Sequence, residues 1–309
     1  MQPNSGRTTI LIKIKLLVLF IFVPALSWGL NITEKTTTPH PVNPKTEHNY
    51  QIVSDIVRLG TSSQRFELNH GECGQDQHWD DCNNDRQRVE REILWKGLNK
   101  TKWFGFSIYL NEDYPTLDNT SWVQSKIHDW RHPIWMLQAK GISVNLTFNS
   151  LGGDRGCYIG KLSSFRGKWN DIVIKTEYSF GEGKKKIGES YIEFYLNGNK
   201  IKKCSMRYPV LTENAYNESG NKYFFFKYGI YNSYVSNWLD KNKTKEVNSK
   251  EWKDTHEDSS GSVISSKAKS PFEIDWGVII PKQIIYLDEM RIGNSKEDVN
   301  INLINKAVD

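Results

Sequence analysis

The chain has 309 residues, 38% of them hydrophobic and 12% aromatic, and a formal net charge of +5. That length fits one large β domain or two ordinary ones. The charge surplus is too small to argue by itself for a polyanionic partner, nucleic acid included, so a case for an anionic ligand has to come from where the cations sit.

The N-terminus reads as a secretory leader. Lys13 and Lys15 precede an apolar run over residues 16–26, and Ala25 and Ser27 are the small residues that a cleavage site needs. The run is too short and too abruptly ended to span a membrane comfortably. Residues 1–29 are therefore read as a signal peptide, and the expectation is a secreted, extracellular monomer with no membrane contact after cleavage. The leader carries Arg7, Lys13 and Lys15 and no acidic residue, so its removal lowers the net charge to +2. Residues 30–49, rich in Thr, Pro, Asn and His without periodicity, read as a disordered lead-in, followed by one domain over 50–309.

Cys73, Cys82, Cys157 and Cys204 are the four cysteines. In a secreted chain they point to disulfides, with three connectivities open. The favoured pairing is Cys73–Cys82, which closes a short polar loop, and Cys157–Cys204, which ties two strand regions. No Cys-x-x-Cys spacing or His pairing points to zinc. The loop 71–85 is dense in Asp, Asn and Gln and could hold a structural Ca²⁺, although its spacing is not that of an EF-hand and a solvated disulfide loop is the simpler reading. Sequons stand at Asn31, Asn99, Asn119, Asn145, Asn217 and Asn242.

Alternation begins near Ile52 and continues in a short strand at 65–68. Residues 86–94 follow, and as a strand they place Arg86, Arg88, Glu90 and Glu92 on one face. Four charges on one strand face need partners or a wet cleft. Residues 103–110 are a strongly β-forming run. In the next strand, 122–130, Gln124, Lys126 and His128 share a face, with Val123 and Ile127 on the other. Further strands are expected at 141–148, 169–176 and 191–196, the last ending in the hairpin signal Asn197-Gly198. In 223–232, Lys227, Gly229 and Tyr231 take one face, and Phe226, Tyr228 and Ile230 take the other. Residues 240–270, almost without apolar side chains, read as a flexible loop insertion, and two closing strands are expected at 272–280 and 283–292.

Several of these stretches carry a resemblance. Residues 223–232 resemble the Y-F-K-A-G-[VI]-Y-N-Q signature of alginate-lyase-type polysaccharide lyases, with Lys227, Gly229, Tyr231 and Asn232 in register. The departures are Phe226, inserted or shifted, Tyr228 for Ala and Ser233 for Gln. Arg88 and Glu90, with Arg86 more loosely, are similar to the R-[ST]-E-L-R motif of the same enzymes, but Arg91 stands at an apolar position and Glu92 at an Arg position. His128 and Ile127 match the family's Q-[IVW]-H strand. Lys126 then falls at the Gln position, and either it takes over the Gln role or a local bulge brings Gln124 into place. Residues 103–110 and 284–293 resemble the core and closing strands of heparin-lyase-I-like and glucuronan-lyase-like proteins.

The resemblance covers most of residues 60–293. It implies an all-β fold, a concanavalin-like β-jelly-roll sandwich of two antiparallel sheets. It also implies a polysaccharide lyase acting by β-elimination on an anionic, uronic-acid-containing polysaccharide such as glucuronan, alginate or a glycosaminoglycan. That chemistry must neutralise the carboxylate at C5, remove the C5 proton and protonate the departing glycosidic oxygen, and it requires no cofactor. The resemblance assigns Lys126 or Gln124, with Arg88, to the carboxylate. It makes His128 or Tyr231 the base and Tyr231 the acid, and puts Lys227, Arg86, Glu90 and Asn232 in substrate binding. Two other readings use the same fold. A laminarinase-type hydrolase would need a carboxylate pair, of which Glu273-Ile274-Asp275 supplies only the first half. A lectin-like sugar-binding domain would keep the aromatics without needing Tyr231 or His128.

Overall fold

Stretches with a side-chain period of two form strands, and the strands pair into two antiparallel sheets. The computed structural model describes residues 29–96, 101–127, 133–148, 155–177, 191–207, 223–248 and 269–301. The leader, His128 and the centre of the 240–270 insertion lie outside these residues.

The larger sheet holds β1 (Leu30–Asn31), β3 (Tyr50–Val53), β4 (Ser63–Leu68), β6 (Thr101–Leu110), β11 (Trp169–Glu177), β12 (Tyr191–Leu196), β13 (Asn199–Lys200), β14 (Met206–Arg207) and β16 (Gln283–Gly293). Its main order is β13-β12-β11-β6-β16-β4-β3, with β1 on β16 and β14 on β12. The smaller sheet holds β2 (Thr38–Pro39), β5 (Arg86–Lys96), β7 (Thr120–Ile127), β8 (Trp135–Lys140), β9 (Ser143–Phe148), β10 (Arg155–Lys161) and β15 (Tyr223–Ser233), in the order β10-β9-β8-β7-β15-β5-β2. This is a jelly-roll β-sandwich.

The two sheets meet through their inward faces. Phe226 of β15 stacks on Phe104 of β6, with centroids 5.0 Å apart, and Tyr228 meets Phe66 of β4 edge-on at 5.7 Å. Each fully buried ring of this kind stabilises the sandwich by roughly 1.5–3 kcal/mol, and offset pairs add about 0.5–1.5 kcal/mol. The Tyr228 hydroxyl donates to Gln64 Oε1 at 2.8 Å, so the phenol that replaces a family Ala is satisfied inside the core. Gly229 follows at φ 134°, and a Cβ there would lie 2.2 Å from the Val89 carbonyl oxygen. Only glycine fits this point of β15, where the register with β7 shifts.

Three expectations are corrected. The 30–49 stretch is ordered: β1 pairs with β16, β2 pairs with β5, and Ile32, Thr37, His40, Val42 and Asn49 are buried. Its order comes from sheet edges elsewhere in the chain, which composition does not reveal. Residues 272–280 form no strand. A 3-10 turn at Pro271–Glu273, capped by the Ser270 hydroxyl, instead aims Trp276 into a small second core with Leu117, Val235, Leu239 and Ile280. Helix α1 (Val235–Asn242) occupies the edge of the expected insertion.

Candidate active site

The outward face of the smaller sheet gathers the charged strand faces. Across β5 and β15, Tyr231 pairs with Arg88, Gly229 with Glu90 and Lys227 with Glu92. On the other side of β15, Lys227 lies opposite Gln124 and Phe225 opposite Lys126, while a bulge brings Ser121 opposite Tyr231. Register alone therefore puts Arg88, Glu90, Glu92, Gln124, Lys126, Lys227 and Tyr231 on one patch.

The patch is held by a network of charge-assisted bonds. Arg88 donates from Nε and Nη2 to both oxygens of Asp81, at 2.6 and 2.7 Å. This bidentate pair is buried; burial lowers the guanidinium's pKa, but Asp81 outweighs it and holds it above its ordinary value. Asp81 is placed by the Cys73–Cys82 disulfide loop, where its second partner is the Trp79 indole N–H at 2.8 Å. Lys227, only 1% exposed, meets Glu92 at 3.1 Å. Gln124 donates to Glu90 Oε1 at 2.6 Å, and Arg88 Nη1 lies 3.6 Å from the other Glu90 oxygen. Two buried cations, Arg88 and Lys227, thus face the buried carboxylates of Asp81 and Glu90 and the partly buried one of Glu92, which is how a sheet face this polar tolerates burial.

Tyr231 is the half-buried group at the centre. Its hydroxyl oxygen accepts from Arg86 Nε at 3.0 Å, and the Arg88 guanidinium lies 4.6 Å from its ring centroid. Arg86 is fixed in turn by donating to the Asn84 and Asp85 carbonyls and by stacking 4.2 Å over Tyr234. Asp85 caps α1 by accepting from the Ser236 N–H and hydroxyl at 2.8 and 2.6 Å, and this anchors Tyr234 as well. Because Arg86 supplies the donor to the phenol oxygen, the phenol's own proton is available to another acceptor.

The lead-in contributes to the site. The Asn43 side chain brackets the Glu90 peptide, accepting from its N–H at 3.0 Å and donating to its carbonyl at 2.7 Å. His40 Nδ1 accepts from the Val42 N–H at 3.2 Å, and its Nε2 lies 3.4 Å from Arg88 and 4.0 Å from Glu92. Burial, then Arg88, Lys227 and Lys126, push the His40 pKa far below its ordinary value, so it is neutral. Sequence reasoning missed His40, Asn43 and Asp81. A lone His or Asn in a Thr- and Pro-rich stretch carries no periodic signal, and Asp81 is one of several acids in its loop.

Of the residues expected in the site, Arg86, Arg88, Glu90, Gln124, Lys126, Lys227 and Tyr231 come together. Gln124, and not Lys126, is the cross-strand neighbour of Lys227 and the partner of Glu90, while Lys126 is half-buried one strand step further on. Asn232 does not join them. It lies on the core side of β15, accepting from the Thr120 hydroxyl at 2.6 Å and donating to Gln87 at 3.3 Å, because strand alternation turns it away from Tyr231. Arg88 and Arg86 are occupied by Asp81, Tyr231 and backbone carbonyls, which makes them positioning groups for Tyr231. His128 lies outside the described residues. Both disulfides form as expected, Cys73–Cys82 and Cys157–Cys204. No group of three or more His, Cys, Asp or Glu side chains among the described residues is placed to hold a metal ion. Asp275 is at the surface, paired with Lys245, away from this patch.

A family model described as polysaccharide lyase matches residues 28–256. No curated protein matches the sequence significantly. Similar solved structures include the endo-beta-1,4-glucuronan lyase from the fungus Trichoderma reesei, at 13% identity over 84% of this chain and 92% of that one, with a TM-score of 0.48. They also include the marine PL7 alginate lyase AlyA1 from Zobellia galactanivorans, at 13% identity over 81% and 82%, TM-score 0.44. The alginate lyase A1-II', a member of polysaccharide lyase family 7, is similar at 11% identity over 81% and 85%, TM-score 0.43. All three scores are below 0.5, so the family assignment stands on the sequence model.

Proposed function

The chain belongs to the polysaccharide lyase family, and from that membership we propose that it is a secreted enzyme that cleaves an anionic, uronic-acid-containing polysaccharide by β-elimination. The observation that carries the reading is the Tyr231 phenol, held by Arg86 and stacked under Arg88 on the sheet face that also carries Gln124 and Lys126 further along the strands. The substrate carboxylate sits against the Gln124 amide or the Lys126 ammonium, either of which stabilises the charge that grows as the C5 proton leaves. The electron pair of the broken C5–H bond forms the C4=C5 double bond, the C4–O bond breaks, and the departing oxygen takes a proton from Tyr231. Tyr231 and His128 are the two candidate bases for the C5 proton.

Near-ultraviolet absorbance of the unsaturated product tests this. The protein is mixed separately with glucuronan, alginate, heparan sulfate and pectate, and a rise on one of them identifies both reaction and substrate. Tyr231→Phe is expected to lower turnover on that substrate by about 10²–10⁴-fold while binding persists. Full activity in that variant would remove Tyr231 from the chemistry, and new reducing ends without absorbance would replace elimination by hydrolysis.

A further inference from the structure

Tyr231 lies on a row that crosses six of the seven strands of the smaller sheet. In register, Arg88 faces Tyr231, Tyr231 faces Ser121, Ser121 faces Gln138, Gln138 faces Asn145, and Asn145 faces Tyr158 on the edge strand β10. Antiparallel strands lie about 4.8 Å apart, so the four spacings from β15 to β10 span about 19 Å, enough for several sugar rings. The residues between the two tyrosines, Ser121, Gln138 and Asn145, are all polar.

The far end of the row is built differently from an ordinary sheet edge. Cys157 and Ile159 point into the core, which forces the Tyr158 ring outward, where it is 43% exposed. Its neighbour on the same face, two residues back, is Gly156, which has no side chain to crowd it. The Cys157–Cys204 disulfide clamps the 3-10 turn Lys202–Cys204 against β10, and this brings the Lys203 ammonium to 4.7 Å from the Tyr158 ring centroid. An exposed ring and an ammonium side by side match a uronate residue, which offers an apolar C–H face to the one and a carboxylate to the other.

We propose that Tyr158 and Lys203 form a remote subsite for a uronate residue of the same chain whose scissile bond lies at Tyr231. The subsite rests on the lyase reading and extends it to the substrate's length. A long polyuronide reaches both ends of the row, and a short oligosaccharide held at Tyr231 does not.

The test compares KM on polymer with KM on a trisaccharide of the same uronide, using full-length protein made without N-glycosylation, because Asn145 in the row is a sequon. Tyr158→Ala is expected to raise the polymer-to-trisaccharide KM ratio on the order of tenfold with kcat retained, as loss of one ring contact implies. Tyr158→Phe, which keeps the ring, recovers most of that loss. Lys203→Gln, on an exposed turn, raises polymer KM and weakens its salt dependence even if the tyrosine variants fold poorly. An unchanged ratio in Tyr158→Ala and Lys203→Gln overturns the subsite while leaving the lyase reading intact. If wild-type protein binds a polyuronide without producing absorbance and these variants lose that binding, Tyr158 and Lys203 still bind uronate, but the lyase reading falls and with it the subsite's tie to a scissile bond. A wild-type protein that neither binds nor cleaves any of the polymers overturns both.

Discussion

His40 shows how a single side chain can tie the site to pH. It is buried between Arg88, which lies 3.4 Å away, and Glu92, at 4.0 Å, with the cations Lys227 and Lys126 also acting on it. Its folded pKa lies below the unfolded value of about 6.5. Between the two values the unfolded chain binds a proton that the folded chain does not, so stability rises with pH through this window and is lost as pH falls below about 6.5. Glu72 acts lower on the scale. Burial raises its pKa, but the Asn69 N–H and the amides of Asn69 and Asn49 outweigh burial and leave it below its ordinary value, so its contribution is lost only in more acidic solution. Thermal midpoints between pH 7.5 and 5 therefore read His40 together with His70, whose pKa burial also lowers, and a His40 variant separates the two. His40→Asn, whose side-chain oxygen can still accept from the Val42 N–H, is expected to flatten the decline over that range, and an unaltered slope would exclude His40 as its source.

Much of the sandwich is legible at the level of elements because strand alternation is a strong signal. The faces of β5 and β15 follow from period two alone, which puts Arg88 with Glu90 and Lys227 with Tyr231, while the joining of the two faces into one site comes from the resemblance. The same period also places Asn232 on the opposite face, so membership in a linear motif was the misleading guide there and the pleat the reliable one. The β1 and β2 edges, His40 and Asn43 were not legible, since their order depends on partners far away in the chain. The two disulfides are legible and unequal. Chain-entropy arguments give about 4 kcal/mol for Cys157–Cys204, whose cysteines are 47 residues apart, and about 3 kcal/mol for Cys73–Cys82, 9 residues apart. Urea denaturation of the paired Cys→Ser variants is expected to keep that order. The reverse order would mean that the short loop, through Asp81 and Arg88, supports more of the fold than its length implies.

For the whole molecule, the segment from β1 to Asn43 is a strap. It begins on β16 in one sheet, crosses to β5 in the other, and ends by bracketing Glu90. This has a consequence in time. The first described strand emerges from the ribosome first but pairs with the last one, and Tyr231 sits on a strand that is made late, between two partners made early. The edges of β5 and β7 wait for β15, and the strap waits for β16, so the candidate site closes only after β16 has been made. Pairings this distant in sequence fold slowly, on millisecond-to-second scales or longer. Refolding from urea, followed by tryptophan fluorescence, is expected to show such a slow phase with activity returning in step with it. Activity recovered well before that phase would mean that the centre assembles without its strap.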